Sequence, residues 1–287
     1  MMTQSKYQEK ITQSVNFLKE WHNSVPEIGI VLGSGLSDAI PGLSEMKGIH
    51  YSEIPGFKNS TVFGHTGDLR VGTVSTKLSN GSVKSREIAF LRGRNHAYEG
   101  HDVGEVVHNV RTLISWGVKG IILTNAAGCL NTEWELGKMM ILTDHINGTG
   151  LSPLNGEFGR GFGAQFVDLT SCYDKSWQKH IQQIATELNQ TIYSGVYYGV
   201  LGAHYETPAE IKMFKNFGAS AVGMSTVLEA IAARQLKVKV AAISSLTNYG
   251  AGLKHEELSH AEVMDTNQRF ASQTAQVIVK ALATLEI

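Results

Sequence analysis

The sequence predicts an α/β fold in which one domain, residues 1–287, carries a mixed, twisted central β-sheet flanked by helices. Three observations lead there. Short apolar runs of strand length alternate with amphipathic stretches of helical period, the pattern of layered folds with a largely buried, partly parallel sheet. Several helical stretches open on a capping signal. No internal repeat and no Pro- or Ser-rich linker divides the chain, so its length reads as one unit.

The first element is a helix over residues 7–21, where Tyr7, Ile11, Val15 and Leu18 recur at helical spacing. A short buried strand follows at 28–32 and ends at Gly33. Further strand candidates are 69–76, 87–91, 118–124, 139–146, 194–201, 220–223 and 238–247, with helical patterns between them. Asp102 with Glu105, Thr207 with Pro208 and Glu210, Thr226 with Glu229, and Ser259 with Glu262 each fit a capping box at a helix start. The last helix presents Val263, Phe270, Val277, Ala281 and Leu285 on one side. Residues 147–165, rich in Gly and aromatic side chains, form the one long irregular stretch, and such loops are usually functional or mobile.

Hydrophobic residues make up 42% and charged residues 18%, enough for a packed core and too apolar for a disordered chain. The formal net charge is -1, with Lys and Arg scattered, so the basic footprint that nucleic acid or an anionic membrane requires is missing. The N-terminus lacks a secretion signal, and no apolar run approaches the roughly 20 residues that span a bilayer. Cys129 and Cys172 form no CxxC pairing. A cytoplasmic enzyme acting on small molecules is expected.

The candidate chemistry lies at strand ends. Gly33-Ser34-Gly35 follows a strand directly, so backbone N–H groups and the Ser34 hydroxyl could cradle an oxyanion, although a plain tight turn has the same sequence. Asp38 stands where a dinucleotide fingerprint needs its third glycine. Arg92-Gly93-Arg94-Asn95-His96-Ala97-Tyr98-Glu99 follows another strand. Arg94 can hold a phosphate bidentately and His96 can add a charge-assisted bond; the alternative is a solvated charged turn. His65 sits in a glycine-flanked polar loop where its imidazole is available. His96 and His101 could be drawn as metal ligands, but no H-x-x-x-H helix or cysteine partner supports them, and no metal is expected.

Thr124-Asn125-Ala126-Ala127-Gly128 ends a strand in small residues, against which a flat ligand could lie; close strand–helix packing would use the same residues. Glu206 precedes the cap Thr207, and the positive helix end there favours an ionised carboxylate suited to a purine N1–H. Asn248 ends the 238–247 strand and offers both donor and acceptor. Ser225 precedes the cap of another helix and could meet an anion, and His260 opens the last helix, where it could reach a substrate hydroxyl.

Taken in order, Gly33-Ser34-Gly35-Leu36, Ser60-Thr61-Val62 with Gly64-His65, Gly93-Arg94 with His96 and Tyr98-Glu99-Gly100, residues 124–128, Asp144-His145-Ile146-Asn147, Tyr205-Glu206-Thr207, residues 222–227, Thr247-Asn248 and Ser259-His260-Ala261 resemble the trimeric purine nucleoside phosphorylases. Residues 204–211 and 248–252 look most like the bacterial members. The resemblance implies a phosphate site of Ser34, His65, Arg94, His96, the Ala126 backbone and Ser225. It implies a ribose site of Tyr98, Tyr205, Met224 and His260, with Phe162 reaching into a neighbouring subunit's pocket, and a base site of Ala127, Gly128, Glu206 and Asn248. Asn248, Glu206 and His96 would carry catalysis in a homotrimer that needs no cofactor beyond phosphate as co-substrate.

This sequence departs from the family pattern at Phe63 and Leu228, where prolines are common, and at Tyr249, where mammalian members carry lysine. Asn248 points toward inosine and guanosine, because members acting on 6-aminopurines lack the amide. Two other functions share the pattern: a nucleosidase that uses water, which would not require Arg94 and His96, and a non-catalytic nucleoside-binding protein.

Overall fold

The computed structural model describes residues 5–33, 35–59, 66–254 and 260–287, with the side chains of 260–264 and Asn267 outside that description. Its strands are β1 (Ile28–Leu32), β2 (Lys47–His50), β3 (Asp68–Lys77), β4 (Val83–Arg92), β5 (Gly120–Cys129), β6 (Met139–Asn147), β7 (Ile192–Gly199), β8 (Ala221–Gly223) and β9 (Lys239–Tyr249). The helices are α1 (Lys6–Trp21), α2 (Val103–Trp116), α3 (Gly156–Gly159), α4 (Lys175–Glu187), α5 (Pro208–Asn216), α6 (Val227–Gln235) and α7 (His260–Thr284).

All nine strands join one mixed sheet in the order β2-β3-β4-β1-β5-β8-β7-β6-β9, and a further β5–β9 pairing closes part of it on itself. β1 lies parallel to both β4 and β5, and β9 runs parallel to β5 from Gly120↔Lys239 to Cys129↔Tyr249. β5 therefore outlasts the apolar run at 118–124 that announced it. Its small residues Asn125 to Cys129 keep pairing because the ladder is made by backbone groups, not by apolar side chains. Closure of β5, β8, β7, β6 and β9 into a ring was not foreseen from the sequence.

β1 is buried on both faces. Ile28, Ile30 and Leu32 point into a core shared with α4 and α7, where Trp177, Val277 and Leu282 lie. Val31 points into the opposite core, with Leu18, Leu113 and Ile231 of α1, α2 and α6. The alternation of side chains along the strand thus serves two helical layers at once. Gly29 has no room for a side chain, since a Cβ there would fall 2.9 Å from Ile121 and Leu113.

The capping signals of α2, α5 and α6 are met by Asp102 with Glu105, Thr207 with Glu210 and Thr226 with Glu229. Ser259 with Glu262 lies outside the described residues. The 147–165 stretch is pinned rather than loose. Arg111, fully buried, donates to the Pro153 carbonyl at 2.9 Å and to that of Phe158, while Gln235 donates to Gly159 O at 2.8 Å. Among the described residues no helix is long and apolar enough to cross a membrane.

Candidate active site

The carboxyl ends of β1, β4, β5, β8 and β9 surround a cleft of roughly 150 Å³. Arg94, His96 and Tyr98 enter it after β4, Ala126, Ala127 and Gly128 from β5, Met224 and Ser225 after β8, Asn248 from β9, and Tyr205 and Glu206 ahead of α5. Strand order explains the meeting, because β4 and β9 lie on opposite flanks of β5. Ser34 and His65 lie outside the described residues. His260 begins α7, with its side chain likewise outside the description. A wider surface groove of about 1200 Å³ beside Trp177 and His180 holds none of the candidate catalytic or binding residues.

At one end of the cleft sits Arg94, only 4% exposed. Its Nη1 donates to the Thr124 carbonyl at 2.6 Å, and its Nε lies 3.2 Å from a Glu229 carboxylate oxygen. Thr124 also ties β1 to β5, donating its hydroxyl to Val31 O and accepting from Gly33 N, both at 2.8 Å. Glycine suits position 33, since a Cβ would stand a tight 3.0 Å from the Asn125 Cα. The other arginine of the motif, Arg92, is engaged instead by buried Asp68 at 3.2 Å. His96 closes this end. Its backbone N–H donates to Glu99 at 2.8 Å and its Nδ1 lies 2.9 Å from the same oxygen, while its ring stacks on Tyr98 with centroids 4.7 Å apart. Burial holds the imidazole pKa below its usual 6.5, favouring the neutral ring.

At the other end stands Asn248. A register shift between Ala127 and Gly128 sets Gly128 opposite Asn248, so Thr247 is the extra residue of a bulge that aims the amide. The Thr247 hydroxyl donates to Asn248 Oδ1 at 2.9 Å, and Asn248 Nδ2 donates to Tyr249 O at 3.1 Å. A Cβ on Gly128 would crowd Val222 at 3.3 Å and Asn248 Nδ2 at 3.4 Å, so glycine keeps this wall flat. Tyr249 is absent from the cleft lining and donates its phenol to Trp134 O at 2.7 Å. Burial raises the pKa of the Glu206 carboxyl above the usual 4.5, a shift opposite to the one the neighbouring helix end favours.

Between the ends lie Tyr98, Tyr205 and Met224. Burial pushes the Tyr98 phenol up to about 12, which keeps it protonated and able to donate a hydrogen bond. Gly202, at φ +79°, lets the loop before Tyr205 approach; a Cβ there would fall 2.5 Å from Met224 Sδ and 3.1 Å from Tyr98.

This constellation can be compared with known proteins. A model of the phosphorylase superfamily matches residues 27–283. Purine nucleoside phosphorylase 1 of Bacillus subtilis (strain 168) is 38% identical over 278 residues, 97% of this chain and 99% of that one. The chain belongs to the purine nucleoside phosphorylases of this superfamily. The purine nucleoside phosphorylase of a Cellulomonas species is 42% identical over 243 residues, 84% of this chain and 81% of that one. A crystal structure of Schistosoma mansoni purine nucleoside phosphorylase in complex with adenosine superposes with a TM-score of 0.87 at 34% identity, covering 97% of this chain and 98% of that one. An enzyme of the pentosyltransferase type is therefore in hand.

For a purine nucleoside phosphorylase, one expected residue stands elsewhere. Phe162 does not project outward; it is 8% exposed in this chain's own core, edge-on to Tyr7 with centroids 5.6 Å apart and 4.5 Å beneath the Arg111 guanidinium. The expected outward reach is corrected accordingly: Arg111 holds the Pro153 and Phe158 carbonyls of the loop and packs over the ring within the core. The sequence reading gave Glu229 no role beyond its cap and placed Thr124 and Asn125 only in the flat wall of small residues. Asn125 donates to Thr226 Oγ1 at 2.8 Å, fixing the turn that carries Ser225. Glu229 was visible as a capping residue, but nothing in its spacing announced Arg94 as its partner.

Proposed function

We propose that this enzyme catalyses phosphorolysis of 6-oxopurine ribonucleosides and deoxyribonucleosides, such as inosine and guanosine, releasing the free base and (deoxy)ribose 1-phosphate in purine salvage. The observation that carries this reading is the sharing of one cleft by Arg94 and Asn248. Breaking the N-glycosidic bond leaves positive charge on the sugar and negative charge on the departing purine, so stabilisation must be ready for both. Phosphate held by Arg94, His96, Ser225 and the Ala126 backbone, with Ser34 and His65 added, faces the sugar as nucleophile. Its own negative charge favours the developing cation.

The Asn248 amide donates to N7 of the leaving base, while Glu206, once ionised, accepts from N1–H. Tyr98, Tyr205, Met224 and His260 hold the ribose, and Ala127 and Gly128 form the flat wall beside the base. The reaction calls for no metal or organic cofactor. A cytoplasmic homotrimer is the expected working form on the family resemblance, without the projecting Phe162, and its molar mass by light scattering is the check.

The assay is release of hypoxanthine from inosine with and without phosphate, with adenosine as comparison substrate. Phosphate-dependent release from inosine, well above that from adenosine, is expected. Equal release without phosphate would make the enzyme a nucleosidase, and a preference for adenosine would remove the 6-oxopurine assignment. Arg94→Ala should raise the phosphate concentration needed for half-maximal rate.

A further inference from the structure

We propose that Glu229 is a positioning residue for the phosphate co-substrate, locking the Arg94 fork and the Ser225-Thr226 turn into one anion-binding unit. The inference rests on the phosphorylase reading and deepens it. Glu229 does not line the cleft, so it acts through others. Its carboxylate is 2% exposed and accepts from Thr226 N at 3.1 Å through the same oxygen that stands 3.2 Å from Arg94 Nε; the other oxygen stands 3.3 Å from that Nε. One side chain on α6 thereby couples the end of β4 to the turn after β8.

The coupled turn is an unusual one. Thr226, a β-branched residue, sits at φ +75°, a conformation that needs support from its surroundings. That support comes from Glu229 on its N–H and Asn125 on its hydroxyl. Ser225, assigned above to the phosphate, is the preceding residue; its N–H lies 3.5 Å from the Tyr197 hydroxyl and its Oγ 3.2 Å from Thr226 Oγ1. A buried ion pair adds little net stability because desolvation offsets the attraction, so orientation is what Glu229 contributes.

The chemistry explains why a carboxylate is required. Two donors converge on it, and a carboxylate is acceptor-only on both oxygens. A glutamine amide would turn an NH2 donor toward either Arg94 Nε–H or Thr226 N–H, loosening the fork or the turn.

Steady-state kinetics of Glu229→Gln, varying phosphate and inosine separately, tests this. The expected result is a phosphate KM raised about tenfold or more with the inosine KM within about twofold of the parent. An unchanged phosphate KM, with only a lower melting point or a smaller active fraction, would mean a structural role and overturn the proposal. A lowered phosphate KM would also overturn it, since the carboxylate would then act only as a repelling charge. Glu229→Asp, which keeps both acceptor oxygens on a shorter stem, carries the same test with the same expected direction should Glu229→Gln not fold. Phosphate titration calorimetry without nucleoside separates this inference from the reaction assigned above. A parent that binds phosphate but does not turn over refutes the reaction, while weaker binding by the variant still supports Glu229; a parent that binds no phosphate refutes both.

Discussion

Asn248 is aimed by its neighbours: Thr247 occupies its carbonyl oxygen and Tyr249 O takes one N–H of its NH2 group, so the second N–H is the donor directed to a ligand. Asn248→Ala should therefore slow turnover by about 100-fold or more, as loss of one oxyanion donor does, while the phosphate KM stays near the parent value. Stopped-time assays of hypoxanthine release at saturating inosine and varied phosphate give both numbers; unchanged turnover would remove the amide from the mechanism. Arg94, His96, Glu206 and Asn248 could be picked out in the sequence because each is a chemistry-bearing type placed just beyond an apolar run or just ahead of a helix cap. Their states could not. The helix end ahead of α5 argues for a lowered Glu206 pKa, whereas burial shifts it upward, and burial is a property of the fold. The partnership of Glu229 with Arg94 joins residues far apart in the chain and left no local trace.

Elements whose signal is local were the most legible. α1, α2, α5 and α6 begin where a hydroxyl or carboxylate and a residue one turn later cap each other, and that pattern is complete within a few residues. β2 was missed because its four residues are mostly exposed and it exists by pairing with β3. At the α1–α2 contact, the buried His108 ring meets the Ser14 hydroxyl at 2.9 Å, and burial lowers its pKa from 6.5 to about 4. Above pH 6.5 both folded and unfolded chains keep this ring neutral. Below it, the unfolded chain takes up a proton that the folded chain refuses until about pH 4, so stability is lost progressively across that window. The loss amounts to roughly 3 kcal/mol at one proton and ~1.4 kcal/mol per pH unit. Urea unfolding at pH 7.5 and 4.5 should show a smaller acid loss for His108→Gln than for the parent, and equal losses would assign the acid sensitivity elsewhere.

Across the whole molecule, the layers were legible in local patterns and the closure was not. Alternating strand and helix patterns sufficed for a mixed sheet between helical faces. The β5–β9 pairing that curls the sheet depends on which strands meet across more than a hundred residues, and no local pattern records that. Closure nevertheless makes the site, because it brings the end of β9 beside β5 while β4 approaches from the other flank. The central claim is that an anion pocket and a purine pocket flank one sugar. A crystal structure with phosphate and inosine soaked together tests it most directly. The account predicts phosphate density on Arg94 and Ser225, purine density between Gly128, Glu206 and Asn248, and the ribose bridging them; phosphate and purine found in separate clefts would contradict it.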